Sequence, residues 1–158
     1  MELSASVPSA NTVASPRKVA PSFALANSKG EIVRLSDYKT RVVLLNFWAT
    51  WCHGCKTEIP WFIEFQRKYK DSGLTVIGVS MDADGWKSVR PFVRLKRMNY
   101  PVVIRNDALA KLYGLGPMPM TLLIDRDSKI ADSHSGAVDR SATEKEIRML
   151  LLAGTKAH

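Results

Sequence analysis

The run Val42-Val43-Leu44-Leu45-Asn46-Phe47-Trp48 is apolar at every position but Asn46, and it leads almost directly into Trp51-Cys52-His53-Gly54-Cys55. A stretch this continuous fits a central strand covered on both faces. From Cys55 to about Tyr69 the pattern turns helical, interrupted by Pro60, which is expected to kink the helix because a mid-helix proline loses a hydrogen bond. A cysteine pair therefore stands where a buried strand hands over to a helix.

The rest of the chain supplies partners for that unit. Ile32 to Leu35 reads as a short strand after the turn Asn27-Ser28-Lys29-Gly30, and Leu74 to Ser80 as a second buried strand. A basic helix is expected over about Trp86 to Met98, a short strand at Val102-Val103-Ile104, and one or two helical turns from Ala108 to Tyr113. Thr121 to Asp125 and Ile130 to Ser135 form a hairpin across Asp127-Ser128-Lys129. Ser141-Ala142-Thr143-Glu144 has the form of a capping box opening a last helix, with Ile147, Leu150 and Leu151 on its apolar face and Gly154 as its stop. Strands alternating with helices imply crossovers and a mixed sheet with helices on both faces.

At 158 residues the chain is expected to form one domain spanning residues 19–154, large enough for a proper core. Met1 to Lys18, rich in Ser, Ala, Val, Asn and Pro, reads as a flexible tail or linker, and residues 155–158 as a C-terminal tail. The apolar share of 46% and charged share of 24% exclude wholesale disorder. No apolar stretch approaches the roughly 18 residues of a membrane span. Two cysteines make neither a disulfide scaffold nor, alone, a closed four-ligand zinc site.

The net charge of +8 is partly concentrated in Lys87, Arg90, Arg94, Lys96 and Arg97, with no acid between Lys87 and Arg97. Nucleic-acid recognition would want exposed aromatics interleaved with such a patch. Phe92, Leu95 and Met98 instead fall at helical spacing as a buried stripe, so the cations read as a solvated helix face and no nucleic-acid partner is expected.

The chemistry lies in the cysteines. At a helix N-terminus Cys52 meets unpaired N–H groups and the positive end of the helix dipole, and both favour the reactive thiolate. The spacing puts Cys55 one turn on, where it can attack a mixed disulfide formed by Cys52, so the pair can take up and release a disulfide by exchange. An inert stabilising disulfide is a poorer reading, because so short a loop is worth only about 2 kcal/mol in chain entropy. A metal site helped by His53 or His134 lacks the second ligand pair that zinc spacings need, although a copper site of two cysteines and a histidine stays open.

The stretch from Asn46 through Trp51-Cys52-His53-Gly54-Cys55 to Pro60 resembles the active-site segment of the thioredoxin superfamily, and more narrowly the TlpA/ResA-like redoxins grouped with AhpC/TSA. The resemblance extends through Ala20-Pro21-Ser22-Phe23, Leu35-Ser36-Asp37-Tyr38 and Met118-Pro119-Met120-Thr121-Leu122-Leu123-Ile124-Asp125. It implies an α/β thioredoxin-like fold with an N-terminal extension and a central insertion. It also implies thiol-disulfide oxidoreductase activity with no cofactor beyond the cysteines and no metal. Cys52 would then attack and Cys55 resolve. Glu58 would carry protons, with placement at a helix N-terminus favoured by the dipole as its plainer explanation. Pro119 would be a cis-proline beside the disulfide, and Met118 and Trp51 would help dock an extended substrate. His53 and Gly54, unlike the Gly-Pro of thioredoxin, would tune the redox balance, and Asn46 stands where thioredoxins carry a buried aspartate.

Protein thiols or disulfides and an upstream reductant or oxidant are the implied partners, with the chain acting as a monomer. The resemblance points to an extracytoplasmic setting, periplasmic or membrane-tethered, with a leader or anchor trimmed and a role in thiol redox control or cytochrome c maturation. A cytoplasmic protein with a loose tail is the other reading of residues 1–18. Two further functions are weaker. A thiol peroxidase would need the Pro and Thr that Leu45 and Ala49 replace, and a Sco-like copper module spaces its cysteines one residue further apart.

Overall fold

The computed structural model describes residues 16–155, so most of the expected tail over Met1–Lys18 and residues 156–158 of the C-terminal tail lie outside the described residues. In chain order the elements are β1 (Ala24–Ala26), β2 (Ile32–Arg34), β3 (Val42–Trp48), α1 (His53–Tyr69), β4 (Leu74–Ser80), α2 (Trp86–Lys96), β5 (Val102–Ile104), α3 (Asp107–Leu112), β6 (Met120–Ile124), β7 (Ile130–Ser135) and α4 (Arg140–Thr155). Five strands form one sheet in the order β5-β4-β3-β6-β7, while β1 and β2 pair as a separate antiparallel hairpin. β3 runs parallel to β4 and antiparallel to β6.

Strand β3 is buried at all seven positions, as its composition predicts, and it divides two cores by alternation. Val42, Leu44 and Trp48 face Ile59, Phe62 and Phe65 of α1, Val89 of α2, and Ile147, Leu150 and Leu151 of α4. Val43, Leu45 and Phe47 face Leu109 of α3 and the hairpin residue Val33. Burying a side chain such as Phe62 is worth about 1.5–3 kcal/mol, so both layers clamp this strand. Asn46 falls on the α1 side, opposite Thr121 of β6 and beside Gly78 of β4.

Several expectations change. α1 starts at His53 rather than Cys55, and it contains Pro60 on its solvent face, where the carbonyl the proline leaves unpaired can be hydrated. α2 likewise contains Pro91, and it stops at Lys96 because Arg97 turns to φ +56° and Met98 N–H returns to the Val93 carbonyl. Leu95 is 77% exposed, so the stripe proposed from spacing fails there; Phe92 and Met98 are half-buried. The capping box is not formed: Asp139 accepts the Ala142 N–H at 2.8 Å, α4 starts at Arg140, and Glu144 turns to Lys68 and Tyr69. Gly154 is not a stop but lies inside α4, where a Cβ would fall 1.6 Å from Arg126 Cδ. The strand β1 had no recognisable alternation, being three residues long.

Candidate active site

The C-terminal ends of the parallel strands β3 and β4 build the site, the edge at which open α/β sheets commonly place ligands. Trp48 passes its carbonyl to Met81 N–H at 2.7 Å. Buried Asp82, just past β4, then takes the Thr50 N–H at 3.0 Å, the Thr50 hydroxyl and the Ser80 hydroxyl. This clamp fixes the turn before the cysteines, and no pattern in the sequence had singled out Asp82.

Cys52 is the N-cap of α1, in extended conformation, and its Sγ accepts the Cys55 N–H at 3.2 Å. The two cysteines are joined as a disulfide with a Cα–Cα distance of 5.3 Å. Cys55 is fully buried, whereas Cys52 retains 6% exposure. Cys52 thus stands at the positive end of the α1 dipole, and Cys55 lies inside the first turn, enclosed by the core.

Around this pair the expected residues separate into near and outward-facing groups. The Met118–Pro119 bond is cis, Pro119 is buried, and its carbonyl accepts the Gly136 N–H at 2.7 Å. A Cβ on Gly54 would lie 3.2 Å from Pro119 Cδ, so Gly54 lets the cysteine turn pack directly on Pro119. Met118 is half-buried against the core that contains both cysteines. Trp51 stands 66% exposed beside Cys52, and His53 is exposed on the first turn of α1.

Glu58 is one turn beyond Cys55 on the same face of α1 and is completely buried. Its Oε2 accepts the Val138 N–H at 2.7 Å. Burial pushes its carboxyl up to about 7, and the Val138 N–H and the Asn46 amide pull it only partly back. Asn46 Nδ2 also donates to Thr121 Oγ1 at 3.1 Å across the β3–β6 register. Asn46 was legible as the one polar residue in a buried strand; the Val138 backbone donor left no mark in the sequence.

His134 is exposed on β7 and its Nε2 meets the Ala137 carbonyl at 3.1 Å. Among the described residues no group of three or more His, Cys, Asp and Glu side chains converges to hold a metal. The five cations of the α2 segment are exposed, but Arg90 stacks on Trp86 and Lys96 on Phe92, which are themselves half-buried. No helix among the described residues is long and apolar enough to cross a membrane.

Comparison with known proteins gives a consistent result. The sequence profile of the AhpC/TSA family matches residues 16–133. A thiol-disulfide oxidoreductase ResA of Bacillus thuringiensis subsp. konkukian is 34% identical over 135 residues, covering 84% of this chain and 77% of the relative. Among solved structures, a Chlorobium tepidum protein described as a thiol:disulfide interchange protein DsbE superposes with a TM-score of 0.76 at 34% identity, over 87% of this chain and 96% of its own. The pneumococcal exposed lipoprotein thioredoxin Etrx1 of Streptococcus pneumoniae superposes with a TM-score of 0.72 at 26% identity, over 82% and 100%.

Proposed function

The chain belongs to the AhpC/TSA family as a TlpA/ResA-like member of the thioredoxin superfamily, and we propose that Cys52 is the attacking and Cys55 the resolving sulfur of its reaction. It is a thiol-disulfide oxidoreductase with a thioredoxin-like fold, acting on protein thiols through a redox-active cysteine pair. In the oxidising direction a substrate thiolate attacks Cys52 Sγ and forms a mixed disulfide. The Cys55 sulfur leaves with the electron pair of the broken bond and takes a proton from Glu58. A second substrate thiolate then attacks the substrate sulfur, which releases the substrate disulfide and a Cys52 thiolate. Reduction of a substrate runs these steps backwards, with the Glu58 carboxylate accepting the Cys55 proton.

The observation that carries these roles is the cap geometry: the accessible sulfur accepts a helix N-terminal N–H, and the buried one lies a turn behind it beside a buried carboxyl. Trp51 and Met118 flank Cys52 as the docking surface for an extended segment, with Pro119 as its floor. His53 and Gly54 set the redox balance through charge near Cys52 and close packing on Pro119. The peroxidase alternative is not favoured, since Leu45 points into the opposite core and offers nothing to polarise a peroxide. The Sco-like copper alternative is not favoured either, His134 being engaged with the Ala137 carbonyl.

We place the protein outside the cytoplasm, as a monomer serving thiol redox control or cytochrome c maturation, with a tether beyond the described residues. The exposed-lipoprotein likeness supports that setting. The roles are tested by alkylating the reduced protein across a pH series. Cys52 is expected to react far faster than Cys55, with an apparent pKa below the free thiol's roughly 8.5; equal rates at every pH would reverse the assignment.

A further inference from the structure

Asp82 is almost completely buried, yet its hydrogen bonds serve one short piece of the chain. Its two side-chain oxygens take the Thr50 N–H at 3.0 Å, the Thr50 hydroxyl and the Ser80 hydroxyl at 2.7 Å, and its own N–H returns to Ser80 Oγ at 3.1 Å. Ser80 lies opposite Trp48 in the β3–β4 register, so these bonds span the two strand ends. Thr50 is the second residue of the turn Ala49–Cys52, which closes with the Cys52 N–H on the Ala49 carbonyl at 3.2 Å. Ala49 is buried, but Trp51 is 66% exposed, so the middle of this turn has little packing of its own. The clamp includes neither sulfur.

A clamp that does not use the sulfurs outlasts the opening of the disulfide. In the oxidised pair the S–S bond itself fixes Cys52 against Cys55; in the dithiol only the backbone on either side of Cys52 does so. On the helix side the Lys56 N–H binds the Cys52 carbonyl at 3.2 Å, and on the strand side stands the turn that Asp82 grips. Cys52 Sγ gains from the helix N-terminus only while it stays within reach of the Cys55 N–H, because the effect falls off within the first turn. We propose that Asp82, acting through Thr50, is a positioning residue that holds Cys52 at the N-cap of α1 after reduction and so keeps its thiolate stabilised. This rests on the reading of Cys52 as the attacking sulfur. The titratable groups placed around that sulfur are Asp82 past β4, His53, Cys55 and Glu58 on α1, and His134 of β7, which is held at the Ala137 carbonyl. The Met118–Pro119 segment contributes none.

The test is the pH midpoint of Cys52 alkylation in the reduced full chain, followed site by site with mass spectrometry. Thr50→Val keeps the side-chain shape and the backbone N–H but removes the hydroxyl donor. It loosens the turn and leaves the Asp82 charge less balanced. Both changes disfavour the thiolate, so the midpoint is expected to rise by about half a pH unit. Thr50→Ser restores the donor and is expected to keep the wild-type midpoint. A packing role would rank the two variants the other way, because valine keeps both branches of the side chain and serine loses a methyl. A companion measurement needs no variant: the Thr50 amide of the reduced protein is expected to be as protected from hydrogen exchange as in the oxidised one. An unmoved midpoint in Thr50→Val, an equal rise in both variants, or a Thr50 amide that loses its protection on reduction overturns the proposal. The two possible failures stay distinct. Cys55 alkylating ahead of Cys52 in the wild type sinks the attacking-sulfur assignment, while a fast Cys52 whose midpoint ignores Thr50 sinks only the clamp.

Discussion

Two glutamates beside α1 end in opposite electrostatic states. Glu58, on the buried face under the cysteines, has one short hydrogen bond, from the Val138 N–H, and its carboxyl is pushed up to about 7. Glu144, on α4 at the far end of α1, receives Lys68 Nζ at 2.8 Å and the Tyr69 hydroxyl at 2.5 Å, with Arg148 at 3.9 Å, and is held below its ordinary 4.5. Nothing in the residue type distinguishes them. What differs is the supply of donors against the loss of water: at Glu144 the partners outweigh desolvation, and at Glu58 desolvation outweighs the partners. A carboxyl that stays charged near neutrality ties two helices together, while one that titrates near pH 7 can exchange a proton with a thiol.

The most drastic way to break this contrast is at the sulfurs. Cys55→Ser is expected to accumulate mixed disulfides through Cys52, visible as a mass increase that dithiothreitol removes, and Cys52→Ser to abolish exchange with a protein disulfide. Glu144→Gln, by comparison, is expected to leave turnover unchanged; a matching loss of turnover there would erase the distinction between the two ends.

Glu58→Gln sharpens it. In the proposed reducing direction, where the carboxylate takes the Cys55 proton, release of the mixed disulfide should slow as the pH falls through about 7 in the wild type, and the variant should lack that limb. Stability should respond as well. The folded value lies above the unfolded one, so the contribution of Glu58 is fully present below 4.5 and is lost as the pH rises through about 7. The difference amounts to about 3 kcal/mol. Denaturant titrations at pH 4 and pH 8 should show this slope in the wild type and a flatter one in Glu58→Gln.

A third variant, Gly154→Ala, probes the end of the molecule remote from the cysteines. Arg126 there binds the carbonyls of Thr40, Ser72 and Leu151 at 2.7, 3.0 and 3.1 Å, and an alanine Cβ would occupy its Cδ position. Displacing that guanidinium is expected to cost about 1–3 kcal/mol in thermal or denaturant unfolding, with the exchange rate per folded molecule preserved. The smallest effect belongs to Glu144→Gln, below about 1 kcal/mol for so accessible a set of ion pairs. Because the Glu144 carboxyl is lowered, that increment is present above 4.5 and disappears as the pH falls; a larger loss at pH 3 than at pH 7 would contradict the sign.

The order of strands and helices was legible because the period changes sharply at each junction: buried β3 into a helical pattern after Cys55, buried β4 into the basic α2. The cysteine pair was legible as chemistry because its spacing and its place before a helix constrain both sulfurs. Leu95 shows where periodicity fails: helical spacing shows which residues share a face, but not whether a neighbouring element covers it. The Ser141–Glu144 pattern fails for a related reason. Asp139, two residues earlier, captures the helix N-terminus, and Glu144 finds stronger partners on α1.

By themselves the amino acids determined that a doubly covered strand would deliver Cys52 to a helix N-terminus, because local backbone geometry and hydrophobic alternation act over a few residues. They marked Asn46 as the polar exception in that strand and Glu58 as one turn beyond Cys55. Only the tertiary structure decided what these groups became. The clamp of Asp82 on Thr50, the Val138 N–H on Glu58, the approach of Gly54 to Pro119 and the convergence of Trp48 and Tyr100 at Gly78 all join residues distant in the chain. The charge state of a buried carboxyl depends on the balance between lost water and those donors, and that balance exists only once the layers have closed over it.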